Sequence, residues 1–452
     1  MTRRTRTALA FALALAPSLA RANPLDMYGL GARSASLAGA VSADVHDTSA
    51  TYYNPAGLAR LRGLRVELGY FHAQPYLSMN GRDSGVPASH GLVAGIASPG
   101  RIFGLPFAVG IGLHLPDDRL SQVQAIPQWQ PRWELYGVRL QRLYIAAMLA
   151  VSPVRWLRLG GGVAFMAATR GSVDISGVIS VTNQAETSLA HTVDVDLSAV
   201  RYAQFGAQVD LGRGVTAAFS WRQRFALDLS IDLALQGRIV AGPVDNPGSI
   251  VVPGTYRLSS HTVAAYQPEQ WVLGGAWVIN PRWRVMLDLT WARWSSYENP
   301  TSSLQTSLEL RLPPELAGAL RVPSIPPSAP REPARFHDTL ITRVGAEFTA
   351  PIGRHSVAVR AGYAWDPSPV PEQPGVTNFV DSDRHIFTLG GGLALRRLGA
   401  VFPGTLSLDV YAAAQVLPSR AFAKASPVDL VGDFTAGGAV LSAGATLGAE
   451  FD

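Results

Sequence analysis

From about residue 64 onward, apolar and polar side chains alternate with a period of two. In 283–291, Trp283, Val285, Leu287, Leu289 and Trp291 take the odd positions, and Arg284, Met286, Asp288 and Thr290 the even ones. The same rhythm runs through 193–210, through 356–365 and through the last segment, where Ala439, Leu441, Ala443, Ala445 and Leu447 alternate with Ser442, Gly444 and Thr446. Such alternation marks strands with one apolar and one polar face. About fourteen runs qualify: 64–79, 88–98, 105–115, 138–152, 156–170, 190–211, 214–237, 268–280, 282–297, 337–350, 355–366, 383–397, 403–417 and 436–451. Many exceed the usual strand of about 5–6 residues in globular proteins. A strand that crosses a bilayer needs about 9–11.

The connections alternate too. Those near 99–104, 152–155, 211–214, 280–282, 350–354 and 397–402 are short. Those near 116–137, 171–189, 238–267, 298–336, 367–382 and 418–435 are long. Short turns at one end, long loops at the other and an even strand number are the pattern of an outer-membrane barrel. Trp283 and Trp291 share a face eight residues apart, roughly 20 Å along the membrane normal for a strand tilted by about 40°, which suits two aromatic girdles. The competing reading, a soluble sandwich with these Trp inside, calls for shorter strands. The expected fold is therefore all-β: a fourteen-stranded antiparallel transmembrane β-barrel.

Composition agrees. Hydrophobic residues make up 47% and charged residues only 16%, yet no apolar run long enough for a membrane helix follows residue 22. Residues 1–22 read as a signal peptide for Sec export, with Arg3, Arg4 and Arg6, the apolar stretch Ala8–Ala16 and an Ala20-Arg21-Ala22 cleavage site. Its four Arg, taken from the 38 Lys and Arg, leave 34 basic against 33 acidic side chains. The overall +5 thus gives no reason to expect a nucleic-acid partner. With no Cys and one Lys, Lys424, the chain cannot form disulfides, thiolate metal sites, a Cys nucleophile or a Walker A loop. Interstrand hydrogen bonds must supply the stability. Residues 23–62 are rich in small residues and read as helical or irregular, and 63–452 as the barrel.

Residues 29–59 run Gly-Leu-Gly-Ala-Arg-Ser-Ala-Ser-Leu-Ala-Gly-Ala and continue through Asp44 and Asp47 to Tyr52-Tyr53-Asn54-Pro55-Ala56-Gly57-Leu58-Ala59. This stretch resembles the N-terminal signature of the FadL/TodX family of outer-membrane channels for long-chain fatty acids and aromatic hydrocarbons. Pro268-Glu269 with Asp288, Trp291 and Trp294-Ser295, Phe336-His337-Asp338-Thr339, and Arg360–Pro371 followed by Asp381–His385 resemble it further, in the same order. The resemblance implies a fourteen-stranded barrel plugged by an N-terminal hatch, with Asn54, Pro55 and Ala56 as hatch residues. It also implies passive uptake of a hydrophobic ligand: capture by extracellular loops, an internal pocket, release when the hatch rearranges, and sideways exit at a kinked third strand. The implied partners are a long-chain fatty acid or another hydrophobic small molecule and outer-membrane lipid, for a monomer with no cofactor. Three alternatives stay open: an aromatic hydrocarbon channel, a lipase-like barrel enzyme, and a structural barrel or adhesin.

For the third strand, Gly104, Pro106 and Gly110 are the candidate kink residues, since Pro removes a ladder hydrogen bond and Gly weakens packing; Pro106 equally suits the end of the 99–104 turn. In the long loop, Leu120, Val123, Ile126, Trp129, Trp133 and Leu135 form an apolar group suited to ligand capture or to packing within the loop. Arg343 and Arg360 are candidates for a ligand carboxylate, which a guanidinium grips with two hydrogen bonds; the alternative is that they pair with inward acids such as Asp288, Glu347 and Asp409. No H-E-x-x-H and no G-x-S-x-G occurs, so neither a zinc-protease helix nor a lipase-type elbow is expected, and no metal site is read. The eight Pro of 298–336 suggest a semi-rigid cover.

Overall fold

The computed structural model describes residues 27–117, 129–136, 143–180, 182–244, 246–301, 303–312, 332–397 and 402–451. The signal peptide and Leu120, Val123 and Ile126 lie outside them.

Fourteen strands close into one antiparallel barrel. They are β1 (Leu64–Met79), β2 (Ser89–Ile102), β3 (Leu105–Pro116), β4 (Tyr144–Val154), β5 (Leu157–Ser180), β6 (Ser188–Gly212), β7 (Val215–Arg222), β8 (Glu269–Val278), β9 (Trp283–Arg293), β10 (Thr339–Ile352), β11 (His355–Asp366), β12 (Arg384–Arg396), β13 (Thr405–Phe422) and β14 (Phe434–Phe451). Each pairs with its neighbours in the chain. Pairing of β1 with β14, from Leu64 opposite Phe451 to Met79 opposite Ala436, closes the ring. Closure leaves no unpaired edge in the membrane, where an unsatisfied backbone amide is costly.

Each strand matches one alternating run. The short turns gather at one end. Phe103 and Gly104 both take positive φ, 52° and 82°, the geometry of a two-residue type I′ turn that keeps the twist of β2 and β3. The apolar parity faces outward: Leu68, Leu273, Leu287, Val359, Leu389 and Leu447 are exposed, as are Trp283 and Trp291. The other parity points inward and is largely polar, with Gln204, Gln208, Asp288, Glu347, Arg360 and Asp409 buried.

Two expectations about the long loops need correction. The run 214–237 is not one strand: β7 ends at Arg222, and Phe225–Ala241 leaves the wall to pair in parallel with the upper half of β5. Residues 171–189 and 238–267 are largely strand as well, since β5 and β6 continue outward and Phe225–Ala241 forms a hairpin with Ile250–Gln267, itself flanked by Ser303–Leu310. The 24 residues of β5 reach about 60 Å along the normal at a tilt near 40°, far beyond an apolar band of about 25 Å. Alternation alone cannot separate a strand in the wall from its continuation above it.

Residues 27–62 pass through the lumen. They form α1 (Ala32–Ser36), α2 (Ala50–Tyr53) and a 3-10 turn (Pro55–Arg60). Leu37, Ala40, Val41, Ala43 and Val45 are wholly buried. The segment is tied to opposite sides of the ring. Ala32 N donates to Thr446 Oγ1 of β14 (3.0 Å), Thr388 Oγ1 of β12 donates to Ser36 O (2.7 Å), and Gln208 Nε2 of β6 donates to Ser42 O (2.9 Å).

Candidate functional site

The lumen is the site, and the N-terminal segment shapes it. Asn54 is the N-cap of the 3-10 turn: its Oδ1 accepts from Ala56 N (3.1 Å), which satisfies a donor the turn leaves open. Its Nδ2 donates to Ser42 O (2.9 Å), and to Ala207 O of β6 (3.2 Å) and Phe219 O of β7 (3.3 Å) in the wall. One side chain thus caps its own turn and fastens it to two strands. Pro55 stands at the first position of the turn, where its missing N–H costs nothing, and Ala56 is fully buried behind it. The wall is recessed to match. A Cβ on Gly206 would overlap Asn54 Oδ1, and one on Gly160 would overlap the Pro55–Ala56 peptide. Gly110 gives way to Leu58 in the same manner.

Charge supplies the second attachment. Arg33 donates to Asp44 (2.7 Å) within the segment and to Glu347 (3.2 Å) on β10. Glu347 accepts from Arg360 (2.6 Å), which also pairs with Asp409 (2.6 Å) on β13. Burial alone would raise the Asp44 carboxyl, but Arg33, His46, Arg284 and Arg60 outweigh it and hold the group below the usual carboxylate range. His46 goes the other way: burial and Arg33 push its pKa down, and its Nδ1 lies 2.7 Å from Asp44 O. Lower in the barrel, Thr48 donates to Glu67 of β1 through both its N–H and its hydroxyl, and Arg65 pairs with the same carboxylate (2.7 Å).

Between the segment and the wall remains a cavity of about 60 Å³. It is lined by Tyr28, Tyr52, Tyr53 and Tyr411, by Val272 and Ile386, and by Arg222, Arg343 and Asp288. Such a volume holds a few waters, whereas ligand pockets run to about 300–1,000 Å³. Arg343 stands opposite Asp288 in the ladder, but both Asp288 oxygens accept from Ser42 (2.7 and 3.0 Å), so Arg343 donates to Thr290 Oγ1 (2.7 Å) instead. Among the described residues Arg343 has no ion-pair partner. The Arg222 guanidinium lies 4.3 Å from the centre of the Tyr52 ring.

The candidates separate accordingly. Arg343 faces the cavity. Arg360 does not: it is 6% exposed and its guanidinium is taken up by Glu347 and Asp409, the alternative foreseen for it. Trp133, 3% exposed, belongs to the loop cap, where its Nε1 donates to Ser84 Oγ (2.9 Å) and its strand segment pairs with Phe379–Val380. Trp129 is 48% exposed. Gly104 is a turn residue. Pro106 pairs with Arg101, and β3 keeps an unbroken register with β2 and, from Phe107 on, with β4. Sequence reasoning missed Tyr28, Arg222 and Tyr411 as lining residues. The parity of Arg222, one step after the outward Trp221, carries the only local signal for it.

Above the lumen the loops interlock. Tyr266, Trp294, Tyr297, Phe336 and Phe379 form a continuous aromatic cluster, and Tyr297 donates to Glu134. Asp381 is buried there, close to Arg384, Ser368 and Ser382. Burial pushes its pKa up to about 6, against the opposing pull of Arg384. Among the described residues, no group of three or more His, Asp or Glu is placed to hold a metal ion.

The model of one family, the outer membrane protein transport proteins (OMPP1/FadL/TodX), matches residues 138–446. The chain belongs to the FadL/TodX family. It is therefore a bacterial outer-membrane barrel of a family that transports hydrophobic compounds. Alkane uptake protein A of Marinobacter nauticus is 23% identical over 407 residues, 85% of this chain and 81% of that protein. Among solved structures, a Pseudomonas aeruginosa FadL homologue superposes with a TM-score of 0.55 at 16% identity, covering 93% of this chain and 97% of that one. The Pseudomonas putida toluene transporter TodX gives 0.53 at 13%, covering 94% and 99%. These likenesses bear on the fold, and they fit the fourteen-strand closure.

Proposed function

We propose that this FadL/TodX member takes up long-chain fatty acids passively, without catalysis, as a monomer, and that residues 23–62 act as its hatch. The observation that carries the substrate reading is Arg343: a cation without an ion-pair partner among the described residues, facing a tyrosine-lined cavity inside a barrel of a hydrophobic-compound transport family. A guanidinium there suits a carboxylate head, and the apolar lining suits the chain behind it. The cavity, at about 60 Å³, is too small for an aliphatic chain, so passage requires the segment to move. The Asn54 and Arg33 attachments are then the latches. Capture falls to the outer loops, with Trp129 the exposed aromatic.

A second reading has one observation in its favour: the similar Marinobacter protein is named for alkane uptake, and an alkane has no use for Arg343. Uptake of labelled oleate, hexadecane and toluene by cells expressing the wild type or Arg343→Met separates them. The fatty-acid reading expects oleate uptake that falls with the substitution. Hexadecane or toluene uptake above an empty-vector control, with no oleate uptake, would overturn it.

A further inference from the structure

A groove of about 700 Å³ runs along the membrane face of the barrel between β12 and β1. Its walls are Phe387 and Leu389 on one side and Tyr76 on the other, with Leu441 between. Its floor is the small-residue patch Ala412, Ala414 and Ala443. Outward positions on β8 and β9 instead carry the large side chains Leu273, Leu287 and Trp291. The groove and the luminal cavity share two lining residues, Ala413 and Ser442, which are cross-strand partners. There the lumen is parted from the membrane by one backbone layer bearing only methyl and hydroxymethyl groups. Buried polar atoms of the cavity next to this layer also lack partners among the described residues: Tyr28 Oη, and Oε1 of Gln415, which lies two residues from Ala413.

The geometry points to this groove as a second ligand site, one that takes the aliphatic chain of a transported molecule on the membrane side of the Ala413–Ser442 pair. The inference rests on the channel reading. Size and chemistry fit the occupant: a largely apolar trough on the outer face of the barrel, with His72 and Gln74 at one wall to receive a polar end. It differs from the Gly104–Gly110 region, where Val109 and Ile111 stand on the outside and Leu58 and Thr51 pack against Gly110 inside, whereas here a cavity and a groove meet back to back.

The test uses the full-length protein in lipid nanodiscs, photolabelled with palmitic acid bearing a chain diazirine and, separately, with a phospholipid bearing the same chain. Adducts are mapped by mass spectrometry. The expected result is several-fold more fatty-acid adduct at Leu389 and Leu441 than at Leu273 and Leu287, with phospholipid adducts spread evenly. Ala412→Phe, and independently Ala443→Phe, fill the groove from the outside without entering the lumen and should abolish the preference; heat-modifiable gel mobility confirms that each variant still closes. Equal fatty-acid labelling of both walls, the same preference with the phospholipid, or labelling unchanged in both variants overturns the inference. A wild type that gives no adduct anywhere in the lumen, and no uptake in cells, would instead count against the channel reading itself.

Discussion

Replacing Asn54 by Ala should unseat the luminal segment without opening the barrel. The side chain makes one capping bond, accepted from Ala56 N, and shares its two N–H donors among Ser42 O, Ala207 O and Phe219 O. Loss of an N-cap costs about 1 kcal/mol, and each neutral hydrogen bond lost costs about 1 kcal/mol more. The total is about 3 kcal/mol, or roughly a hundredfold in the ratio of seated to unseated segment. Hydrogen exchange measured by mass spectrometry reads it directly. Amides of 54–60 in the Ala variant should exchange roughly a hundredfold faster, while those of β6 and β7 keep their protection, because the ladder between them does not depend on Asn54. Asn54→Ser restores the capping oxygen but cannot reach the wall, so it should recover about a third of the lost free energy. Protection of 54–60 within about threefold of the wild type would refute the assignment of Asn54 as the latch. Equal loss of protection in β6 and β7 would refute the separation of segment from barrel.

Gly206→Ala places a methyl where Asn54 Oδ1 sits, so the same amides should lose protection although no hydrogen-bonding group has been removed. Arg360→Met leaves Glu347 and Asp409 buried without this partner, a loss of about 3–5 kcal/mol by the usual cost of stranding a buried charge, and should lower the temperature at which the folded gel mobility disappears. Asp381 is buried with its pKa raised to about 6, so its neutral form is the one the packed loops favour. Its contribution is therefore complete below about pH 4 and is lost as the pH rises through about 6, by about 3 kcal/mol in all. Loop protection from added protease should fall over that window, and Asp381→Asn should flatten the profile.

The barrel was legible because its physics is periodic. A wall one residue thick, lipid on one side and polar filling on the other, imposes alternation on every strand, and 283–291 shows it without help from any other part of the chain. The continuation of β5 and β6 above the membrane was not legible, since a strand paired in water alternates just as one paired in lipid does. The lumen was half legible. Asn54-Pro55-Ala56 stood out through the family resemblance, whereas the 3-10 turn that Asn54 caps emerges only in the structure. Arg343 and Arg360 are both inward arginines on adjacent strands, and nothing near them in sequence tells them apart. What separates them is the partner each finds across the ladder and the lumen. Glu347 and Asp409 reach Arg360, whereas the acid opposite Arg343 has been claimed by Ser42, a residue 246 positions away from it. On the proposed fatty-acid reading this is a competition: the N-terminal segment, by binding Asp288 through Ser42, keeps that carboxylate from pairing with Arg343. On that same proposed reading, a segment that moves away to let a ligand pass releases Asp288 to face Arg343, so the hold of the guanidinium on a carboxylate head weakens as the path clears. A carrier of carboxylates gains from that order of events, because the same movement that clears the path weakens the hold on the cargo.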